Sequence, residues 1–193
     1  AIITNTSNTS YTDLGPWPNT YNYKVRAFYG ITGYSHSSNT ATVTIAGGVT
    51  RNKVLFEGGT GTWCQYCPGA AMGLRDLIEV NHKEAVAIEY HSGDAYENTD
   101  ANQRIGYYTI EAFPTMMADG KLRMEGGNAT VSLYPDYLNM YNERISIPGL
   151  QNLNINIVET SLDNYTATIT IEELYSYLTT GLKLHTALTE SNI

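Results

Sequence analysis

The thiol inventory of this chain is two cysteines, and both stand in the segment Trp63-Cys64-Gln65-Tyr66-Cys67-Pro68. A structural disulfide framework draws on several cysteines far apart in sequence. A bond between residues this close removes little chain entropy. The spacing therefore points to chemistry rather than to a staple. From Cys64 onward, Ala70, Ala71, Leu74, Leu77 and Ile78 recur at helical intervals. That places the pair at the start of a helix, where unsatisfied N–H groups and the positive end of the dipole favour a thiolate. Cys64 is then the attacking thiol, partly exposed, and Cys67, one turn further, is the more buried resolving thiol. Trp63 would shield one side of the sulfur. Pro68 is acceptable in a first turn, where its missing N–H is not needed. Two other readings stay open. A C-x-x-C is also half of a zinc site, to which only His82 or His91 could add, and a disulfide can exist without turning over. His91 reads more simply as a satisfied rim residue, and Met116, Met117 and Met124 read as packing.

The elements around the pair follow from hydrophobic period. Val54-Leu55-Phe56 is a short apolar run fitting a buried strand, and Gly58 to Gly61 reads as a loop. Ala85 to Ile88 is a second buried strand, so a βαβ unit with a parallel sheet is expected. A short helix is expected near Asn102 to Tyr108. Asp119-Gly120 between Thr115–Ala118 and Leu122–Met124 is a hairpin signal. A closing helix is expected over Val131 to Ile145, with Pro135 in its first turn.

The flanks have period two. Tyr21, Tyr23, Val25 and Ala27 alternate with polar residues, as do Ala41, Val43 and Ile45, with turn residues from Gly30 to Asn39 between them. Leu153, Ile155 and Ile157, then Ala167, Ile169 and Ile171, repeat the pattern, and Leu182, Leu184 and Thr186 suggest a third strand. Ala46-Gly47-Gly48 reads as a linker. The expected class is α/β: a core over residues 50–148, flanked by partial β segments over 1–46 and 150–193.

Composition sets limits. Of 193 residues, 42% are apolar, enough for a real core, and only 16% are charged. Thr, Asn, Ser and 16 tyrosines fill the difference, a mix that suits an extracytoplasmic protein. The net charge of -8 and the lack of a basic patch argue against a nucleic-acid partner. No apolar run approaches the roughly 18 to 20 residues of a membrane span. The sequence has no signal peptide and reads as truncated at both ends.

Three resemblances sharpen this reading. The order of strand, loop, C-x-x-C, helix, strand, proline, hairpin and helix resembles thioredoxin. That resemblance implies that Phe113-Pro114-Thr115 places a cis proline beside the cysteines, where it helps seat a client peptide. It also implies that Glu57, at the end of the first strand, is a buried acid taking protons from the resolving thiol through water. A solvated glutamate is the alternative there.

The first 46 residues resemble the second half of a fibronectin type III domain, through Leu14-Gly15-Pro16, Tyr21 to Ala27, Gly33-Tyr34-Ser35 and Ser38 to Ala41. Tyr21 would be the corner tyrosine bonding back to the preceding loop. The ordered set Val54 to Glu57, Thr60 to Pro68, Ala87 to Asp94, Phe113 to Thr115 and Leu188 to Ile193 resembles the outer-membrane-protein-28-related lipoproteins of Bacteroidetes-type bacteria. Membership implies a periplasmic, outer-membrane, surface or secreted location, a thioredoxin-like core flanked by partial β-sandwich-type segments, and attachment through segments absent from this sequence.

The function expected is thiol–disulfide exchange on protein thiols. Cys64 attacks, Cys67 resolves, Pro114 seats the client, and Glu57 and Trp63 assist; no cofactor or metal is called for. The alternative is a surface binding or adhesion protein built on the same scaffold.

Overall fold

The computed structural model describes residues 7–8, 10–11, 13, 18–174 and 183–191. The expectations resting on Leu14-Gly15-Pro16, Leu182 and Asn192-Ile193 lie outside those residues. The chain divides into two compact units, one of residues 50–147 and 185–193, the other of residues 1–49 and 148–184. Helices and strands are mixed, as an α/β class requires.

The first unit is built on a four-stranded sheet. Its elements in chain order are β3 (Val54–Thr60), α1 (Cys67–Arg75), β4 (Ala85–His91), α2 (Thr99–Tyr107), β5 (Thr115–Ala118), β6 (Leu122–Glu125) and α3 (Tyr134–Ile145). The spatial order is β4-β3-β5-β6. β4 runs parallel to β3, β5 antiparallel to β3, and β6 antiparallel to β5. Side chains alternate across the sheet. Val54 and Phe56 therefore share one face, where Ala70, Leu74 and Leu77 of the first helical stretch and Tyr137, Met140 and Tyr141 of α3 close the core. Leu55 and Glu57 point to the other face, toward α2.

β3 is longer than its apolar run. It continues through Gly58 and Gly59 to Thr60, where a loop was expected. Gly59 is the tighter of the two: a Cβ there would stand 3.0 Å from the Phe113 ring and 3.1 Å from Ile110 Cγ2, whereas one on Gly58 would meet the Met116 methyl, the movable end of a flexible side chain. α1 starts at Cys67 rather than Cys64, and its last turn widens into a π-turn over Asp76–Val80. α2 starts earlier than its apolar residues suggest, because the Asn98 side chain accepts the Ala101 N–H and caps it. α3 begins at Tyr134 with Pro135 in its first turn. Asp119 and Gly120 both have positive φ, as a tight two-residue hairpin turn needs.

The second unit contains two antiparallel pairs, β1 (Asn19–Tyr23) with β2 (Ala41–Ile45), and β7 (Gln151–Ser161) with β8 (Asn164–Glu173). β1 ends at Tyr23, short of the alternation that runs to Ala27. Beyond it, serine hydroxyls replace ladder carbonyls: Ser38 Oγ accepts the Val25 N–H and Ser35 Oγ accepts that of Ala27. The Tyr23 hydroxyl donates to Asp13 at 2.9 Å, a bond back to the preceding segment of the kind expected of Tyr21. Residues 183–191 form no strand, so the third strand expected at Leu184 and Thr186 is not formed.

Candidate functional site

Cys64 and Cys67 form a disulfide with a Cα–Cα distance of 5.4 Å. Cys67 is the first residue of α1 and Cys64 lies in the turn before it. The turn is closed by two backbone bonds, Cys64 N–H to Gly61 O at 3.0 Å and Cys67 N–H to Cys64 O at 3.2 Å. The helix start offers fewer free donors than a bare N-terminus. The Cys67 N–H is used in the turn, Pro68 has none, and the Gly69 N–H donates to Asn128 O at 2.7 Å. Stabilisation of a thiolate here falls mainly to the helix dipole.

The two cysteines are equally buried, Cys64 at 7% and Cys67 at 6% exposure. This corrects the expectation of a partly exposed Cys64. The reason lies in the neighbours. Trp63 and Tyr66 stand outward, 55% and 51% exposed, while the turn itself is pinned down on every side. The Trp63 indole N–H donates to Ser92 O at 2.8 Å, and the ring meets Phe113 edge-on at 5.5 Å. Gly61 and Gly93 leave room for that indole: a Cβ on either would fall within 3 Å of Nε1.

The Phe113–Pro114 peptide bond is cis, in the form the resemblance implies. Pro114 is brought to the cysteine turn through Gly127. A Cβ on Gly127 would lie 2.3 Å from Tyr66 O and 2.6 Å from Pro114 Cγ, so Gly127 fills the space between them with backbone alone. The Gly126 N–H donates to Pro114 O at 2.8 Å. Cys64, Cys67, Trp63 and Pro114 are therefore gathered in one place.

Glu57 is elsewhere. It sits on the face of β3 opposite Phe56, and so on the side away from α1. Its carboxylate is 3% exposed, which excludes a solvated side chain. It accepts four hydrogen bonds: Arg104 Nε at 2.8 Å, Arg104 Nη2 at 3.0 Å, Tyr90 OH at 2.8 Å and Tyr108 OH at 2.6 Å. Those four fill the acceptor sites of a carboxylate. Burial alone would raise its pKa, but Arg104 and the two tyrosines outweigh that and hold it below the usual carboxylate range. Burial and the Glu57 charge push both tyrosines upward. What Glu57 contacts is an ion-pair network that ties α2 to the sheet.

Three features were missed from the sequence. Arg104 carries no motif; only its place on a helix facing an odd-numbered acid of β3 could have suggested it. Asp94 accepts from Thr62 N–H at 2.7 Å, Tyr96 N–H at 2.9 Å and His91 Nδ1 at 2.7 Å, so it ties the loop after β4 to the turn before Cys64. Burial would raise Asp94, but His91 and the two N–H groups lower it to about 2. Glu89 pairs with Gly58 and so lies on the α1 face, where desolvation raises its carboxyl and His91 offsets this in part. Strand parity counted from Phe56 would have found it. Among the described residues, no group of three or more His, Cys, Asp or Glu is placed to hold a metal ion.

Protein-family models give no match to this chain, and curated proteins give none either. Among solved structures, the chain is similar to HBP35 of Porphyromonas gingivalis at 20% identity and a TM-score of 0.46, over 65% of this chain and 44% of that one. It thus spans less than half of the HBP35 chain. It is also similar to a malarial protein at 15% identity and a TM-score of 0.35, over 48% of this chain and 97% of that one.

Proposed function

We propose that this chain is an extracytoplasmic thiol–disulfide oxidoreductase-like protein that acts on protein thiols. Its unit of residues 50–147 is read as a thioredoxin-like domain. Residues 1–46 are read as part of a fibronectin type III-like module, and the strands after 150 as part of a β-sandwich. The observation that carries the proposal is the Cys64–Cys67 disulfide at the start of α1, gathered against Phe113-Pro114.

The exchange balances as follows. A client thiolate attacks Cys64 Sγ; the Cys64–Cys67 bond breaks and Cys67 leaves as a thiolate that takes up a proton. A second client thiolate attacks the client sulfur of the mixed disulfide and releases Cys64 as a thiolate, which is then protonated. Two client thiols become one disulfide, and the protein disulfide becomes a dithiol. Run backward, the same steps reduce a client, with Cys64 attacking and Cys67 resolving.

Turnover of insulin disulfides with a dithiol donor tests the proposal. Reduction should depend on Cys64, and Cys67→Ser should accumulate mixed disulfides that Cys64→Ser does not form. Absence of turnover, with Cys64→Ser behaving as the parent, would instead support a surface binding protein on a thioredoxin-like scaffold. The low exposure of both cysteine residues is the observation that favours that second reading.

A further inference from the structure

Four loops meet, the cysteine turn and three others tied to it by direct contacts. Residues 61–66 form the turn. The 92–98 loop is held by Asp94 to Thr62 and by Ser92 to Trp63. The 108–114 loop brings Phe113 against Trp63. The 126–133 loop touches the turn through Gly127 and receives the Gly69 N–H on Asn128. Together they present an exposed aromatic surface: Trp63 at 55%, Tyr66 at 51% and Tyr96 at 46%.

The charge of this surface has one sign. The four loops contain Asp94, Glu97 and Glu111, and no lysine or arginine. Glu97 and Glu111 are exposed, and the Glu97 carboxylate, while accepting the Gly93 N–H, keeps its charge toward solvent. The nearest arginines on the α2 side are already engaged. Arg104 is held by Glu57, and Arg123 is held by Glu125 and by the carbonyls of Tyr108 and Thr109. His91 lies against Asp94 and Tyr96. An exposed aromatic face with an acidic rim attracts a cation that can also lie over a ring.

Resting on the exchange reading above, we propose that the client is an extended peptide whose cysteine is flanked by lysine or arginine. The flanking cations meet the Glu97 and Glu111 rim and the faces of Trp63, Tyr66 and Tyr96 while the client sulfur reaches Cys64.

The test uses the whole oxidised chain and three synthetic peptides, each with one cysteine flanked by arginines, by glutamates or by serines. The second-order rate of protein disulfide reduction is divided by each peptide's rate with an uncharged small disulfide, which removes differences in thiol reactivity. At low salt the arginine peptide should react about tenfold faster than the glutamate peptide, with the serine peptide between, and the ratio should shrink toward one at 0.5 M salt. Glu111→Lys should cut the ratio several-fold. Glu79→Lys makes the same change in net charge near the far end of the first helical stretch and should leave the ratio in place. Equal normalised rates, a preference unaffected by salt, or an equal effect of the two charge reversals would overturn the inference while leaving the exchange function standing. Failure of all three peptides to react would instead remove the exchange reading and this inference with it.

Discussion

The two faces of the four-stranded sheet treat polar groups in opposite ways. On the α2 face, Glu57 is buried and its four acceptor sites are filled by Arg104, Tyr90 and Tyr108, so the charge is consumed within the fold. On the α1 face, the apolar core runs up to the disulfide, and the polar and aromatic groups above it project outward. The first face holds an element in place; the second presents exposed aromatic groups to solvent. The difference explains why a buried acid near the cysteines in sequence has no contact role at them: strand parity sends it to the other side.

The largest effect that separates the two faces should come from breaking the ion pair. Arg104→Met leaves the Glu57 carboxylate, 3% exposed in the parent chain, with only tyrosine donors. Removing one partner of a buried pair costs about 3–5 kcal/mol, and the partial exposure of Arg104 places this case near the low end. Glu57→Gln should cost about 1–2 kcal/mol, because the Arg104 head can turn toward water. Urea unfolding measures both, and equal losses would show that burial does not make the pair asymmetric. The pH dependence has a definite sign. The folded pKa of Glu57 is lowered, so its contribution is present above the unfolded value of about 4.3 and is lost as pH falls through the folded one. The penalty of Arg104→Met should therefore shrink in acid.

A smaller effect distinguishes the glycines of the two faces. A Cβ on Gly69 would lie 2.4 Å from Asn128 O and 2.5 Å from Val131 O, both backbone atoms. Gly69→Ala should cost about 1–3 kcal/mol and push the 126–133 loop away from the cysteine turn. Gly106 in α2 has nothing within 4 Å of such a Cβ. Gly106→Ala should stabilise the chain by up to about 1 kcal/mol, since alanine favours a helix interior. Thermal unfolding of the two variants gives the comparison, and a shared sign would break it.

Much of this arrangement was legible in the sequence, and what was not has local causes. Period and turn chemistry located the strands at Val54, Ala85, Thr115 and Leu122 and the turn at Asp119-Gly120, because those signals are local. The continuation of β3 through Gly58 and Gly59 was hidden. Glycine reads as a loop former, and only the close approach of Phe113 and Ile110 to Gly59 favours it within the strand. The burial of Cys64 was hidden for a similar reason, since the contacts pinning Trp63 come from residues 92, 93 and 113. Arg104 could not be assigned to Glu57 without the fold, being 47 residues away with no motif to connect them.

The finest test of the presenting face concerns Asp94. Its carboxylate holds Thr62 and so sets the position of Trp63 one residue later. Its pKa is lowered to about 2, so the hold is complete above the unfolded value of about 3.9 and fails only as pH falls toward the folded one. In a Trp17→Phe background, emission reports Trp63 alone, the chain's other tryptophan. That emission should be constant from pH 7 to about 4 and should change below about 3. Asp94→Asn keeps one oxygen for the Thr62 N–H but loses the charge facing His91 Nδ1, so a change in Trp63 emission should already be present at pH 7. The Glu57 network, on the other face, should leave this signal unmoved, and Glu57→Gln provides that control. If Asp94→Asn and Glu57→Gln shifted the emission alike, the faces would be coupled through the sheet rather than divided by it.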